Sequence, residues 1–489
     1  MLFNSSEFIF VFLPIAVLLY FFLNQRRLVT AGKAWLVLAS LIFYSYWNAA
    51  YLPLILIMIA INFTISGKLI APGAIKQAYR KPLLISGILF NISLLGYFKY
   101  YNFIIDNISF FSGTAISGKE IILPLAISFI TFQQIAFLVD SYKGKIKENS
   151  FLNYLLFITF FPQLIAGPIV HHSEMMPQLN SKWNLLPKYK NVLTGIAIFS
   201  LGLFKKVVIA DSFAIWANSG FANSASLDFV GSWVTSLSYT FQLYFDFSGY
   251  CDMAIGAALI FNIKLPLNFN SPYKSLDIQD FWRRWHITLG RFLRDYIYIP
   301  LGGNRGTDAS IYSNLFITFV VGGLWHGASW MFVIWGALHG IALIIHRLWK
   351  KFGGNMPNPL AWLATFLFVN FTWVFFRAED LESAANIIHA MTGSAGVIRE
   401  VSFVPTASLA WLGGAADVLI SAINPSIVAY ALELVAIIAA LAIISLKNSM
   451  ELSNQTAIEE HPILLSLIFS SAAYAMLSSS SAVFLYFNF

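Results

Sequence analysis

Charge is what this sequence has least of. Asp, Glu, Lys and Arg make up 11% of its 489 residues, against about 25% in an ordinary soluble domain. With 58% hydrophobic residues, the chain cannot cover its apolar surface with polar groups and is expected to live in lipid. Cysteine is nearly absent as well. Cys251 stands alone, which excludes an internal disulfide framework and a cysteine metal cage and makes cysteine chemistry a poor expectation. No polar stretch is long enough to fold separately, so residues 1–489 read as one integral membrane domain. Nor is there a basic stripe: the net charge is +7, but Lys and Arg sit in short clusters between apolar segments, so no nucleic acid partner is expected.

Long apolar runs are abundant. A spanning helix needs about 20 mostly apolar residues, and candidates recur at 8–23, 34–48, 51–66, 82–98, 121–139, 151–166, 192–216, 229–247, 311–321, 328–346, 360–376, 427–446 and 462–486. The first lacks a preceding basic region and a cleavage site, so it reads as a retained helix. Arg26, Arg27 and Lys33 follow the first run, Lys68, Lys76, Arg80 and Lys81 the third, and Lys143, Lys145 and Lys147 the fifth, whereas the turn near Asn48 is uncharged. By the positive-inside rule the N-terminus faces outside. Met253 to Ile263 and Ile311 to Val321 look too short to cross and suggest re-entrant or tilted segments. The stretch 391–426, rich in Gly, Ala, Ser and Pro, reads as a connection.

Between Asn270 and Gly306 the run FWRRWHITLGRFLRDYIYIPLGGNRG is too charged to span and is expected at the membrane surface. As one helix it would put Arg284, Arg291 and Arg294 on one side and pair Asp280 with Arg284 and Arg291 with Asp295. Two readings stay open. The arginines could hold lipid phosphates, or Arg283, Arg284, Arg291 and Arg294 could seat a polyanionic thioester carrier such as coenzyme A.

In GGLWHGASWMFVIWGALHG, His326 interrupts an apolar stretch. A polar group at such depth usually faces a polar interior, and an imidazole is suited to taking a hydroxyl proton. It could equally be a packing residue. His339, thirteen residues on, is as embedded, and His286 lies inside the arginine segment, so spacing alone does not choose. Asp246 and Asp252, in YFDFSGYCD, have no histidine beside them; capping or charge pairing is favoured over catalysis, and no metal site is expected.

Several motifs together resemble the membrane-bound O-acyltransferase (MBOAT) family, and most closely its bacterial branch of alginate O-acetylase membrane subunits. They are LPLAISFITFQ at 123–133, FFPQLIAGPIV at 160–170, GLFKKVVIAD at 202–211, YFDFSGYCDMAIG at 244–256, the arginine segment, GLWHGASW at 323–330 and WVFFRA at 373–378. The resemblance implies an all-α polytopic fold, a ring of about 11 to 13 transmembrane helices with re-entrant and interfacial helices around a central tunnel through a thin centre. It makes His326 the catalytic residue and His286 the second important position. Trp325, Trp285, Asp246 and Asp295 are candidates to line the tunnel. The ending FLYFNF resembles a terminal motif of bacterial cross-membrane acylation systems, in which Tyr486 would be an acyl relay.

The same resemblance implies an acyltransferase that takes an acyl group, acetyl first, from acyl-CoA as donor substrate, with no bound cofactor. The group would pass to an extracytoplasmic polysaccharide such as alginate or peptidoglycan, with an SGNH-hydrolase-type partner outside. The expected location is the bacterial cytoplasmic membrane. The rival from another class is a proton-coupled transporter or flippase for an anionic or lipid-linked substrate, and the lack of an apparent inverted repeat counts against it.

Overall fold

In the computed structural model, residues 1–71, 73–119, 121–396, 425–452, 462–478 and 484–485 are described. Every regular element among them is helical, as lipid requires of a chain that cannot leave backbone groups unpaired. Six helices are long and apolar enough to cross a membrane: Phe8–Gln25, Ala49–Ile70, Gln77–Ser112, Tyr189–Ala222, Trp330–Lys351 and Asn358–Arg377. Val29–Ser45, Ala431–Ser445 and Pro462–Ser478 are shorter apolar helices. The protein is a multi-pass membrane protein.

The turns sort onto two faces. Arg26 and Arg27, Lys76, Lys143 and Lys351 follow or precede helix ends on one, here the basic face. On the other, the Trp47 turn meets the loop before Ile127, where the Tyr51 hydroxyl donates to the Ile122 carbonyl at 2.8 Å.

Two apparent short spans are not short. Met253 to Ile260 completes Phe229–Ile260, a 32-residue helix buried along nearly its whole length, and Ile311 to Val321 lies inside Asp308–His326. Hydropathy underrated both because they bury polar side chains inside protein, among them Gln242, Asp246 and Asn314, where lipid never reaches them.

Glycine sets the closest approaches. Helices Tyr189–Phe204 and Phe229–Ile260 run antiparallel with Gly195 against Gly256 and Gly202 against Gly249; a Cβ on any of the four would come within 2.5 to 2.7 Å of the opposite backbone oxygen. Helices Asp308–His326 and Trp330–Lys351 touch the same way through Gly323 and Gly336. Such small-residue contacts bring backbones together where hydrophobicity gives no preference between lipid and protein.

Candidate functional site: two histidines in an aromatic chamber

The arginine segment is where expectation and structure part. Instead of one surface helix it forms Ile278–Arg284, then Ile287–Leu293, then a π turn at Arg294–Tyr298. The break is at His286, whose φ of +43° lies in the left-handed region that costs a side-chain-bearing residue about 1 kcal/mol or more. The break turns His286 inward to complete burial. Arg284 does pair with Asp280 at 2.9 Å, but Arg291 does not pair with Asp295. Its guanidinium holds both oxygens of Glu174, at 2.6 and 2.8 Å, and Asp295 takes Arg294 at 2.7 Å. With the helix broken, the three arginines no longer form one stripe. Arg283 is exposed and, among the described residues, has no carboxylate within ion-pairing reach.

Glu174 is the anchor of this segment. Burial alone would raise its pKa, but the hydrogen bonds from Arg291 and from the His171 N–H outweigh burial and hold it below its ordinary value of 4.5.

Asn268 orients His286. Its Oδ1 accepts from the Thr288 N–H at 3.2 Å and the Thr288 hydroxyl at 2.9 Å, so that oxygen is an acceptor. The His286 Nδ1, 3.1 Å from the same atom, must therefore carry the proton. Nε2 then holds the lone pair, the form able to receive a proton.

His326 is the last residue of Asp308–His326, and Gly327 leaves the helix in extended conformation. Gly327 is dictated by contact, because a Cβ there would fall 2.0 Å from the Phe332 ring. The imidazole is 3% exposed and sits edge-on to Trp325, Trp335 and Phe376 at centroid distances of 5.0 to 5.1 Å. Its centroid is 6.4 Å from that of His286. One histidine is delivered by a segment tied to the basic face and the other by a helix that starts on that face and ends toward the Trp47 face.

A cavity of about 220 Å³ reaches this site, lined by Trp47, Lys99, Leu123, Ile165, Trp325 and His326 among others. Trp47 and Ile122, at its rim, are exposed, so the cavity opens on the Trp47 face. Trp325 lines this cavity. Trp285 instead is buried in the aromatic layer behind His286, 5.0 Å from Phe269 and from Trp373. Asp295 stays on the arginine segment, and Asp246 is part of a buried ion pair with Lys206 at 2.8 Å. Asp252 likewise pairs with Lys205 at 2.8 Å, as charge pairing requires of carboxylates in an apolar region.

His339 is distinguished from His326 by its partners. The Trp282 indole donates to its Nδ1 at 3.2 Å, and its Nε2 donates to the Thr372 hydroxyl at 3.1 Å. Thr372 Oγ1 is the acceptor there because it spends its own proton on the Val369 carbonyl. Both ring nitrogens are thus committed to packing.

Two site residues gave no usable signal in the sequence. Asn268 lies in a loop with no motif spacing to His286. Lys99, within the long span Gln77–Ser112, donates to the carbonyls of Trp325 and His326 and approaches the Ser128 hydroxyl at 3.3 Å. Tyr486 lies outside the described residues. Among the described residues no three His, Cys, Asp or Glu side chains cluster as metal ligands would.

A helical membrane chain with a histidine at the inner end of a cavity has the layout of a membrane-bound O-acyltransferase, and this chain belongs to that family. The family's signature matches residues 138–378. The chain is 48% identical over 526 residues to the peptidoglycan O-acetyltransferase of Helicobacter pylori, covering 100% of this chain and 98% of that protein. It is 40% identical over 399 residues to the probable alginate O-acetylase of Pseudomonas aeruginosa, covering 80% of this chain and 75% of that protein. A more distant relative, the teichoic acid D-alanyltransferase of Bacillus subtilis, is 30% identical over 274 residues, or 52% of this chain and 69% of that protein.

Proposed function

We propose that the protein is an O-acetyltransferase that moves an acetyl group from acetyl-CoA, bound at the basic face, to the opposite face for esterification of an extracytoplasmic polysaccharide. The observation that carries this reading is His326 at the inner end of a cavity open on the Trp47 face, 6.4 Å from His286. His326 takes the proton of an acceptor hydroxyl as its oxygen attacks the thioester carbonyl; the carbon–sulfur bond breaks and the thiolate leaves with a proton. His286, with Nε2 unprotonated, is placed to share that proton.

The polymer is peptidoglycan or alginate, the polymers after which two relatives are named. Exposed Arg283 is the cation of this segment open to the carrier's phosphates, since among the described residues Arg284, Arg291 and Arg294 are paired with Asp280, Glu174 and Asp295. The first acceptor is the phenol of Tyr486, which passes the acetyl group to an SGNH-hydrolase-type partner or to the sugar. The clusters of Lys and Arg on one face support an orientation with that face cytoplasmic in a bacterial inner membrane and the N-terminus outside.

Purified protein in liposomes, given radiolabelled acetyl-CoA and polymer, tests the reading. Wild type should transfer label to polymer and His326→Ala, inserted at wild-type level, should not. Uptake of label without consumption of the thioester would instead identify a transporter.

A further inference from the structure

The motif around Asp246 pairs its charge, yet the pair has an unexpected third participant. Lys206, 3% exposed, is held between Asp246 at 2.8 Å and Asp211 at 2.7 Å. Asp246 Oδ2 also accepts the backbone N–H of Leu485 at 3.0 Å. The residue before it, Phe484, is 2% exposed and stacks on Tyr250 at 4.4 Å. It also packs on Phe247 at 6.0 Å, and the Phe247 edge meets the His286 ring at 4.8 Å. Asp246, Phe247 and Tyr250 all belong to Phe229–Ile260, which is buried along nearly its whole length. A carboxylate is the strongest acceptor available to a backbone N–H, and a bare aromatic face fixes a phenylalanine ring without needing charge.

We propose that Asp246 is a positioning residue: with Lys206 behind it, it holds Phe484 and Leu485 against the Phe229–Ile260 helix, one aromatic ring from His286, and this hold is required for acyl transfer. The proposal rests on the transferase reading, since the residue that follows Leu485 in sequence is Tyr486, the proposed relay. Lys206 keeps Asp211 when Asp246 is removed, so the buried cation is not orphaned. Leu485→Pro deletes the N–H donor without touching the helix.

The test compares Asp246→Ala and Leu485→Pro with wild type in liposomes, reading transfer of label to polymer and the rate at which carboxypeptidase trims the chain end. Loss of one charge-assisted hydrogen bond should release the end. Both variants should be trimmed about tenfold faster and transfer about tenfold more slowly through kcat, with KM for the donor unchanged. In a chain truncated after Val483, adding Asp246→Ala should lower transfer no further. Unchanged trimming of both variants, or faster trimming of Leu485→Pro with wild-type transfer, would overturn the proposal while leaving the role of His326 standing. Transfer by His326→Ala would instead remove the reading beneath it.

Discussion

The Lys99 ammonium donates to the carbonyl of His326 at 3.1 Å and to that of Trp325 at 2.6 Å. It thereby ties the helix that carries the imidazole to the helix Gln77–Ser112. These carbonyls are at a helix C-terminus, where nothing further along the helix can pair them and a cation is favourable. With the Ser128 hydroxyl as third neighbour at 3.3 Å, all three N–H groups have an oxygen, so Lys99 holds the site rather than reaching into substrate.

Lys99→Met should therefore lower kcat by about tenfold to a hundredfold with little change in donor KM, because a displacement near 1 Å at a reacting group costs about that much. Lys99→Arg should recover part of the loss. Steady-state kinetics in liposomes checks both, and a Met variant at wild-type kcat would make the clamp irrelevant to chemistry.

The three buried histidines should separate by variant. His339→Gln should reduce stability by about 1 to 3 kcal/mol through its two committed hydrogen bonds while each folded molecule stays active. Asn268→Leu should cost stability as well, because the Thr288 donors lose their acceptor, but unlike His339→Gln it should also lower kcat per folded molecule, by about a hundredfold. Thermal unfolding alongside kcat measures the contrast.

At Gly327 the constraint is steric. Gly327→Ala forces its methyl into the Phe332 ring, and overpacking of this kind costs about 1 to 3 kcal/mol. Phe332→Leu should restore much of the stability and activity lost. A Gly327→Ala protein as stable and active as wild type would show that the ring moves aside freely.

The Arg291–Glu174 pair sets an acid limit. Glu174 titrates below its ordinary value of 4.5 in the folded protein, so its stabilisation is complete above that pH and is lost as pH falls through the depressed value. Wild type should exceed Glu174→Gln in stability at pH 7, by about 1 to 3 kcal/mol. The two should converge toward pH 3, which unfolding midpoints across that range would reveal.

Much of this was readable from the sequence, for identifiable reasons. Apolar runs such as 8–23 give themselves away, whereas His326 was separated from the equally embedded His339 only by the family resemblance of its motif. The break in the arginine segment was not legible, because period alone cannot foresee a left-handed residue; the fold of Trp285 and His286 is decided by what they are buried against. Asp308–His326 was underestimated at its ends, where Asp308 and Ser310 on one side and Gly322, Gly323 and His326 on the other lower the hydropathy. Lys99 and Asn268 were invisible for a different reason. Their value depends on contacts to residues far along the chain, and nothing local distinguishes them from any other lysine or asparagine.

Tyr250 lies between two aromatic rings, Phe484 at 4.4 Å and Phe3 at 4.8 Å, both nearly parallel to it. Those two partners are 481 positions apart (484 − 3) in the sequence, yet they share one tyrosine. A single ring thus couples two remote segments, and its removal would loosen both grips on the Phe229–Ile260 helix at once.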